Sequence, residues 1–374
     1  MNIVTLGSDK SLVGAPALGD AVDRHASYGI HVGRLDVIVY TNRREQRKVF
    51  PISANVMGYP TNSLNKVMFW FDAARIFREI YKQRKVDIVV CQDPFVFGLL
   101  GVYLKYRYKC KLQINFHGDF WSNQNWRQES WLNPWFERLS RFTVKQADAI
   151  RSVSTPIAAK LQAFGVPSDR LHVIPTPVQK PQAQGTIKHY QLGFRYLVSD
   201  VRLVVTKNIF FMIDVFASLR QKHPEFKLWI IGDGPLRPDI EKYIQQKSLT
   251  DSVYCLGLIP HDELGLYFQK AEAQLLFSTH ESFGKVIIEA GLWHCPTVAT
   301  ATTGATSIIR PNSTGILIPH NDASAAMTAI ESIISNQETR QRLGRAAAED
   351  YGQRFERQAI MTKIINLWKS LARL

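Results

Sequence analysis

The chain has 374 residues, of which 45% are hydrophobic and 21% charged, and a net charge of +14. That length suits two domains and that apolar content suits packed cores, which excludes a disordered chain. The longest uncharged apolar run, Phe95 to Leu104, falls far short of the ~18–20 residues that cross a bilayer, and no basic leader with a cleavage site opens the chain, so neither a membrane span nor secretion by that route is expected.

In chain order, Asn2 to Leu6 and Leu35 to Tyr40 are short apolar runs ending in turns, and they predict strands. Ala73, Ile76, Phe77, Ile80 and Tyr81 recur at helical spacing and predict one buried stripe with a basic end at Lys82, Arg84 and Lys85. Strands follow at Val86 to Cys91, Gln113 to Phe116, Ala149 to Val153 and Leu171 to Ile174, with helices over Trp135 to Gln146 and Pro156 to Phe164. Val178 to Phe194 is rich in Gln, Pro and Gly and reads as a linker. Alternation then restarts: strands at Tyr196 to Ser199, Lys227 to Ile231, Val253 to Leu256 and Ala273 to Phe277, helices at Ile209 to Lys222, Leu236 to Gln246 and Asp262 to Lys270. This is the pattern of parallel sheets covered on both faces. The expected architecture is α/β, with domains at residues 1–180 and 181–350 and a helical segment over 351–374 able to cross back to the first domain.

Cys91, Cys110, Cys255 and Cys295 form no C-x-x-C pair and fit a reducing cytosol. Residues 1–180 hold 25 Lys and Arg against 14 Asp and Glu, and the remainder 21 against 18. Such asymmetry points to an anionic partner on the first half, or to solubility alone. Gly14 to Gly19 has the glycine spacing of a phosphate loop, but Asp20-Ala21 follows where Lys-Ser/Thr is needed. Gly232-Asp233-Gly234 begins like a dinucleotide fingerprint, yet Arg237 replaces the third glycine, so a tight strand-to-helix turn is the better reading.

The stretch Ser278 to Ala290 carries two carboxylates, Glu281 and Glu289, after a buried strand. With a helix beginning near Phe283, Glu281 lies in the loop ahead of it and Glu289 in its second turn, ~9 Å along at about 1.5 Å per residue. That separation suits a long ligand read at both ends, with free N–H groups near Gly284, Lys285 and Val286 facing an anionic middle. Two surface glutamates beside an ordinary helix start are the bland alternative. Arg202 and Lys207 follow the first strand of the second half, where ligands of open α/β sheets bind, and an Arg and a Lys are what a departing diphosphate requires.

Glu281 to Glu289 resembles the E-x7-E signature of family-4 (group 1) retaining glycosyltransferases. Further segments agree in the family's order: Gln92-Asp93-Pro94-Phe95, Phe116-His117-Gly118-Asp119, Ala147 to Ser154, Val173-Ile174-Pro175, Arg202 to Lys207, and Ile231 to Pro235. The resemblance covers essentially the whole chain. It implies the GT-B fold, two Rossmann-like parallel-sheet domains with an interdomain cleft, and hexosyltransferase-type chemistry in which a sugar moves from a nucleotide-diphosphate sugar to an acceptor hydroxyl. It further implies that Arg202 and Lys207 bind the donor diphosphate, Glu289 takes the ribose hydroxyls and Glu281 lies beside the donor sugar. Phe283, Gly284 and Lys285 match the segment whose backbone N–H groups meet sugar and phosphate, and His117 resembles a histidine that reaches the transferred sugar. Retention is implied, with the leaving phosphate helping to remove the acceptor proton. No Asp-x-Asp occurs, so no metal or other cofactor is expected beside the nucleotide-sugar substrate. Val201 stands where the family commonly has Gly, and Thr176-Pro177 where it has Asn-Gly.

The acceptor is expected at the first half, as a glycan or a lipid-linked group in polysaccharide or glycolipid assembly. Arg43, Arg44, Arg47 and Lys48 form one basic cluster, and Lys105, Arg107, Lys109 and Lys111 with Tyr103, Tyr106 and Tyr108 form another. Basic residues among aromatics suit an anionic membrane interface or a lipid diphosphate, and equally a solvated helix end. The expected location is the cytoplasm, with peripheral contact at the cytoplasmic membrane face. A GT-B nucleotide-sugar epimerase and a non-catalytic sugar- or nucleotide-binding protein remain the alternatives. Nucleic acid is not expected as a partner, because no recognition helix or base-stacking motif accompanies the charge.

Overall fold

A computed structural model describes residues 1–15, 20–185, 187 and 195–373. Contacts divide the chain into two units, residues 1–175 with 358–374, and residues 176–357. Gly19 and most of the 186–194 part of the expected linker lie outside the described residues.

The first unit contains β1 (Asn2–Gly7), α1 (Ala21–Gly29), β2 (Arg34–Val39), β3 (Phe50–Ser53), β4 (Val56–Pro60), α2 (Met68–Gln83), β5 (Ile88–Cys91), α3 (Val96–Tyr108), β6 (Lys111–Phe116), α4 (Gln124–Glu129), α5 (Asn133–Gln146), β7 (Ala149–Ser152), α6 (Thr155–Ala163) and β8 (Leu171–Val173). Its strands run in the order β3-β4-β2-β1-β5-β6-β7-β8, parallel except for the β3–β4 pair. The central strands are buried on both sides because helices cover both faces. Helices α2, α3 and α5 pack side by side.

The second unit contains β9 (Arg195–Asp200), α7 (Ile209–Lys222), β10 (Phe226–Ile231), α8 (Arg237–Gln246), β11 (Val253–Gly257), α9 (Leu264–Lys270), β12 (Ala273–Leu276), α10 (Lys285–Gly291), β13 (Thr297–Thr300), α11 (Thr303–Ile308), β14 (Gly315–Ile318), α12 (Ala323–Ile334) and α13 (Gln337–Arg354). Its sheet is wholly parallel, in the order β11-β10-β9-β12-β13-β14. Tyr196 stacks on Trp229 at 3.9 Å between ring centroids within its buried core.

The helical segment over 351–374 is not continuous. α13 ends at Arg354, Phe355 leaves the helical conformation, and α14 (Arg357–Arg373) begins afresh. Ile360, Ile364, Trp368 and Leu371 of α14 join Tyr28, Val37 and Ile88 in the first unit's core. Each such buried side chain contributes roughly 1.5–3 kcal/mol, so α14 is an integral part of that unit.

Candidate active site

In the second sheet β9 is flanked by β10 and β12, so the chain winds away from β9 in both directions. Loops leaving the carboxyl ends of two such strands open a crevice between them, the usual ligand position in an open α/β sheet. The loop after β9 carries Arg202 and Lys207, and the loop after β12 carries Glu281, Phe283 and Gly284. The two are latched by backbone: Thr279 donates its N–H to the Thr206 carbonyl at 2.9 Å.

The turn Gly232-Asp233-Gly234 fixes the start of the first loop. Gly232 has φ 121°, and a Cβ there would meet the Val201 carbonyl oxygen at 2.0 Å. That close approach lets Val201 N–H donate to Ile231 O (2.9 Å) and Leu203 N–H to Asp233 O (3.0 Å). The glycines thus lock backbone against backbone beneath Arg202. The guanidinium-bearing residue itself is exposed and makes no ion pair among the described residues.

Lys207 closes a short 3-10 turn before α7, and its Nζ pairs with Glu281 Oε2, both side chains largely shielded from water. The helix expected from Phe283 starts at Lys285, because Gly284 adopts φ 85° and ends helical geometry on its N-terminal side. Phe283 is buried and meets Phe355 edge to face at 5.9 Å. Gly304, in the first turn of α11, donates its N–H to Glu281 O at 2.7 Å and so supports the loop from behind. Glu289 lies buried in the second turn of α10, where Lys285 Nζ approaches its Oε1 at 3.1 Å and His261 Nε2 at 3.4 Å. The two glutamates therefore have separate cationic partners, as their spacing requires.

Asp200, the last residue of β9, was absent from the sequence-derived set. Burial first, and the charge of Glu289 after it, push its carboxyl up to about 7 against the opposing pull of His261, Lys285 and Lys207. The same side chains that form the two ion pairs thus surround a third carboxylate that holds its proton near neutrality. Its position at a strand's carboxyl end was the only local signal. His261 carried none, being a lone histidine in the β11–α9 loop. Among the described residues, no three His, Cys, Asp or Glu stand close enough to hold a metal ion.

His117 belongs to the first unit, one residue beyond β6. Its Nε2 lies 2.9 Å from Gln92 Oε1, which also accepts from Asn115 Nδ2 at 3.1 Å. Gln113 Nε2 donates to Asn115 Oδ1, and Trp368 Nε1 to Gln113 Oε1, so a chain of amides anchors the histidine. Burial lowers its pKa to about 3, with Arg151 and Arg24 adding to the effect. Arg151 is itself buried, donating to the carbonyls of Ile174 and Pro175. Gln92, Asp93 and Pro94 follow β5, the neighbouring strand, so the sequence segments around them converge on this edge of the fold.

The basic clusters are partly committed elsewhere. Lys105 pairs with Asp148 at 2.9 Å, and Tyr108 packs on Phe77 and Tyr81. Arg47 reaches the Gly14 carbonyl and Glu45. Arg43, Arg44, Lys48, Tyr103, Tyr106, Arg107 and Lys109 remain exposed, and no helix among the described residues is long and apolar enough to cross a membrane.

Residues 32–180 match the family model described as Glycosyltransferase Family 4, and residues 191–350 the model described as Glycosyl transferases group 1. The chain belongs to the group 1 glycosyltransferases. It is 28% identical to alpha-D-kanosaminyltransferase of Streptomyces kanamyceticus over 49% of this chain, spanning about half of that relative (48%). It is 26% identical to alpha-monoglucosyldiacylglycerol synthase of Streptococcus pneumoniae over 79% of this chain and 71% of the relative. Among solved structures, sucrose-phosphate synthase of Thermosynechococcus elongatus superposes with TM-score 0.85 at 18% identity, covering 99% of both chains. Anabaena HepE in complex with UDP superposes with TM-score 0.78 at 17% identity, covering 99% of this chain and all of that one (100%). With the two parallel-sheet units, these likenesses establish the GT-B fold.

Proposed function

We propose that this glycosyltransferase moves a hexosyl group from a nucleoside-diphosphate sugar to an acceptor hydroxyl, with retention and without a resident metal. The acceptor is a glycan or lipid-linked group in polysaccharide or glycolipid assembly at the cytoplasmic face of a membrane. The observation that carries the reading is the convergence of Lys207 on Glu281 beside the Lys285–Glu289 pair, at neighbouring carboxyl ends of one sheet. Such a set offers cations to a diphosphate and carboxylates to hydroxyls on either side of it. The structural relative HepE, solved with UDP and with UDP-glucose, and the pneumococcal relative named for monoglucosyldiacylglycerol support the donor and acceptor classes.

In the proposed reaction the bond from the anomeric carbon to the β-phosphate oxygen breaks as the acceptor oxygen bonds to that carbon. The acceptor proton passes to a leaving phosphate oxygen, and a nucleoside diphosphate departs. Arg202 and Lys207 stabilise the charge gathering on the diphosphate, the term that dominates such steps. Backbone N–H groups at Phe283, Gly284 and Lys285 face the sugar and phosphate, Glu289 accepts from the ribose hydroxyls, and Glu281 orients sugar hydroxyls. His117, neutral across ordinary pH, exchanges a hydrogen bond with the transferred sugar.

Incubation with a panel of UDP-, GDP-, ADP- and dTDP-sugars, with and without EDTA, tests the reading. Release of nucleoside diphosphate that survives EDTA is expected, with an α-linked product from an α-linked donor. Absence of both turnover and nucleotide binding across the panel would sink it, as would loss of activity in EDTA for the metal-independent part.

A further inference from the structure

Soluble chains rarely expose large contiguous apolar patches, and this one carries several largely exposed aromatic side chains on a single layer of helices. Trp131 and Trp135, at the entrance to α5 and in its first turn, are 80% and 62% exposed, and Phe142 further along α5 is 49% exposed. Tyr106 on α3 is 63% exposed and Phe71 on α2 58%. These helices are joined at the same surface: Trp70 of α2 meets Tyr103 of α3 at 4.9 Å between centroids, and Tyr106 of α3 donates to Gln146 of α5 at 2.5 Å.

Charge on the layer has one dominant sign. The three helices carry eight Lys and Arg against three carboxylates. Asp72 and Glu79 are paired within α2, with Arg75 at 3.6 Å and Lys82 at 2.9 Å, and Glu137 is buried between Arg127 and Arg141. The exposed face of α5 therefore presents Trp135, Arg138, Phe142 and Lys145 with no carboxylate among them. Arg138 lies over the Trp135 ring at 5.4 Å, a cation held directly beside a largely exposed aromatic.

From this juxtaposition we infer that the α2–α3–α5 face is a docking surface for an anionic lipid bilayer, with Trp131, Trp135 and Phe142 entering the headgroup boundary and Arg138, Lys145 and Arg107 binding lipid phosphates. Amphipathic rings and long cationic side chains are the residue types that partition to that boundary, and a net positive face selects negatively charged lipid. A protein partner matched to this face would need acidic groups spread over three helices, whereas a bilayer supplies them at every point. The inference deepens the membrane-surface part of the function proposed above and narrows the contact from the two basic clusters to the helical layer that carries the second.

The test is flotation of the intact chain with vesicles of phosphatidylcholine alone or mixed with phosphatidylglycerol, run beside donor turnover in vesicle-free solution, thermal melting and sedimentation. The chain is expected to float only with phosphatidylglycerol and to be released by salt. Quenching of its tryptophan fluorescence by brominated lipid is expected to depend on Trp131 and Trp135. The double variant Arg138→Gln/Lys145→Gln should lower partitioning roughly fivefold for each cation, hence roughly 25-fold. The triple variant Trp131→Ser/Trp135→Ser/Phe142→Ser should lower it about tenfold or more at any salt. Both variants change exposed side chains and should keep the melting point and vesicle-free turnover. Flotation equal in the variants and the parent, or none in the parent, overturns the surface while leaving donor turnover to decide the transferase reading. A dimer dissolved by the triple variant also overturns it, assigning the face to a second copy. Flotation without donor turnover upholds the surface and removes the transferase reading.

Discussion

Replacing Lys207 by Met keeps the aliphatic stem and removes only the ammonium group. The pair it forms with Glu281 is 13% and 17% exposed at the two side chains, so the variant strands a carboxylate that water reaches poorly. A stranded group of this kind costs about 1–3 kcal/mol. In a unit of this size, that lowers the melting temperature by about 2–10 °C. On the proposed mechanism the same ammonium stabilises the departing diphosphate, and loss of one such group costs about 10²–10³ in kcat, or about 3–4 kcal/mol at the transition state. The two losses separate in the double variant Lys207→Met/Glu281→Gln, which leaves no charge stranded. Its melting temperature should recover most of the deficit while kcat stays at the level of the single variant or below. Steady-state turnover with the best donor and calorimetric melting, measured on all four members of the cycle, provide the check. Turnover that recovers in step with stability would show that Lys207 serves only the fold, and the assignment of a phosphate role would fail.

Four further outcomes are expected. Asp200 holds its proton to about pH 7 when folded but releases it near the ordinary 3.8 when unfolded, so stability should fall as pH rises from about 4 to 7. Asp200→Asn should remove that slope, whose upper bound is about 4 kcal/mol at ~1.4 kcal/mol per pKa unit; a slope unchanged in chemical denaturation refutes it. Glu289→Gln should raise the donor KM and narrow the pH window over which Asp200 costs stability, because the Glu289 charge no longer raises that carboxyl; melting curves across pH and donor kinetics measure both. Gly304→Val places a side chain where a Cβ alone would meet Phe283 N at 2.6 Å and Glu281 O at 2.8 Å, so turnover should fall by more than the melting point accounts for. His117 gains protons only below about pH 3 when folded against about 6.5 unfolded, so its contribution is full above pH 6.5 and is lost as pH falls toward 3. A ring resonance titrating near pH 6 in the NMR spectrum would contradict this.

The fold class was legible because strand and helix periodicities differ and alternate cleanly; the helix expected over Ile209 to Lys222 has those limits in the structure. Other elements left little trace. α3 reads as a continuous apolar run, because several of its faces are buried among α2, α5 and the sheet, and such a helix has no stripe to find. The β3–β4 hairpin hides behind Pro51 and Pro60, which argue against strand but are tolerated toward a sheet edge. Within the site, Glu281 to Glu289 was visible as one local stretch. The pairing of Lys207 with Glu281 spans 74 residues and depends on β12 inserting next to β9 while β10 and β11 go to the other side. Strand order is a property of packing that linear periodicity does not carry. The perturbed Asp200 was hidden for the same reason, since the charges acting on it arrive from three separate segments.

The ligand-free charge arrangement has a consequence for how the proposed donor enters. Lys207 is paired with Glu281 and Lys285 with Glu289, so these two cations of the crevice already have carboxylate partners. A diphosphate gains Lys207 only by displacing Glu281, and a displaced carboxylate at that position must find hydrogen-bond donors or remain stranded. Sugar hydroxyls are such donors, and a nucleoside diphosphate without its sugar has none to offer there. On the proposed reading, the Lys207–Glu281 pair therefore favours the intact donor over the departing product. Arg202, exposed and without an ion pair among the described residues, carries no such cost and is the cation a phosphate can meet first. On the proposed reading, recognition of the phosphates and recognition of the sugar are coupled through this one ion pair, which is why Lys207 and Glu281 must be perturbed together to be understood.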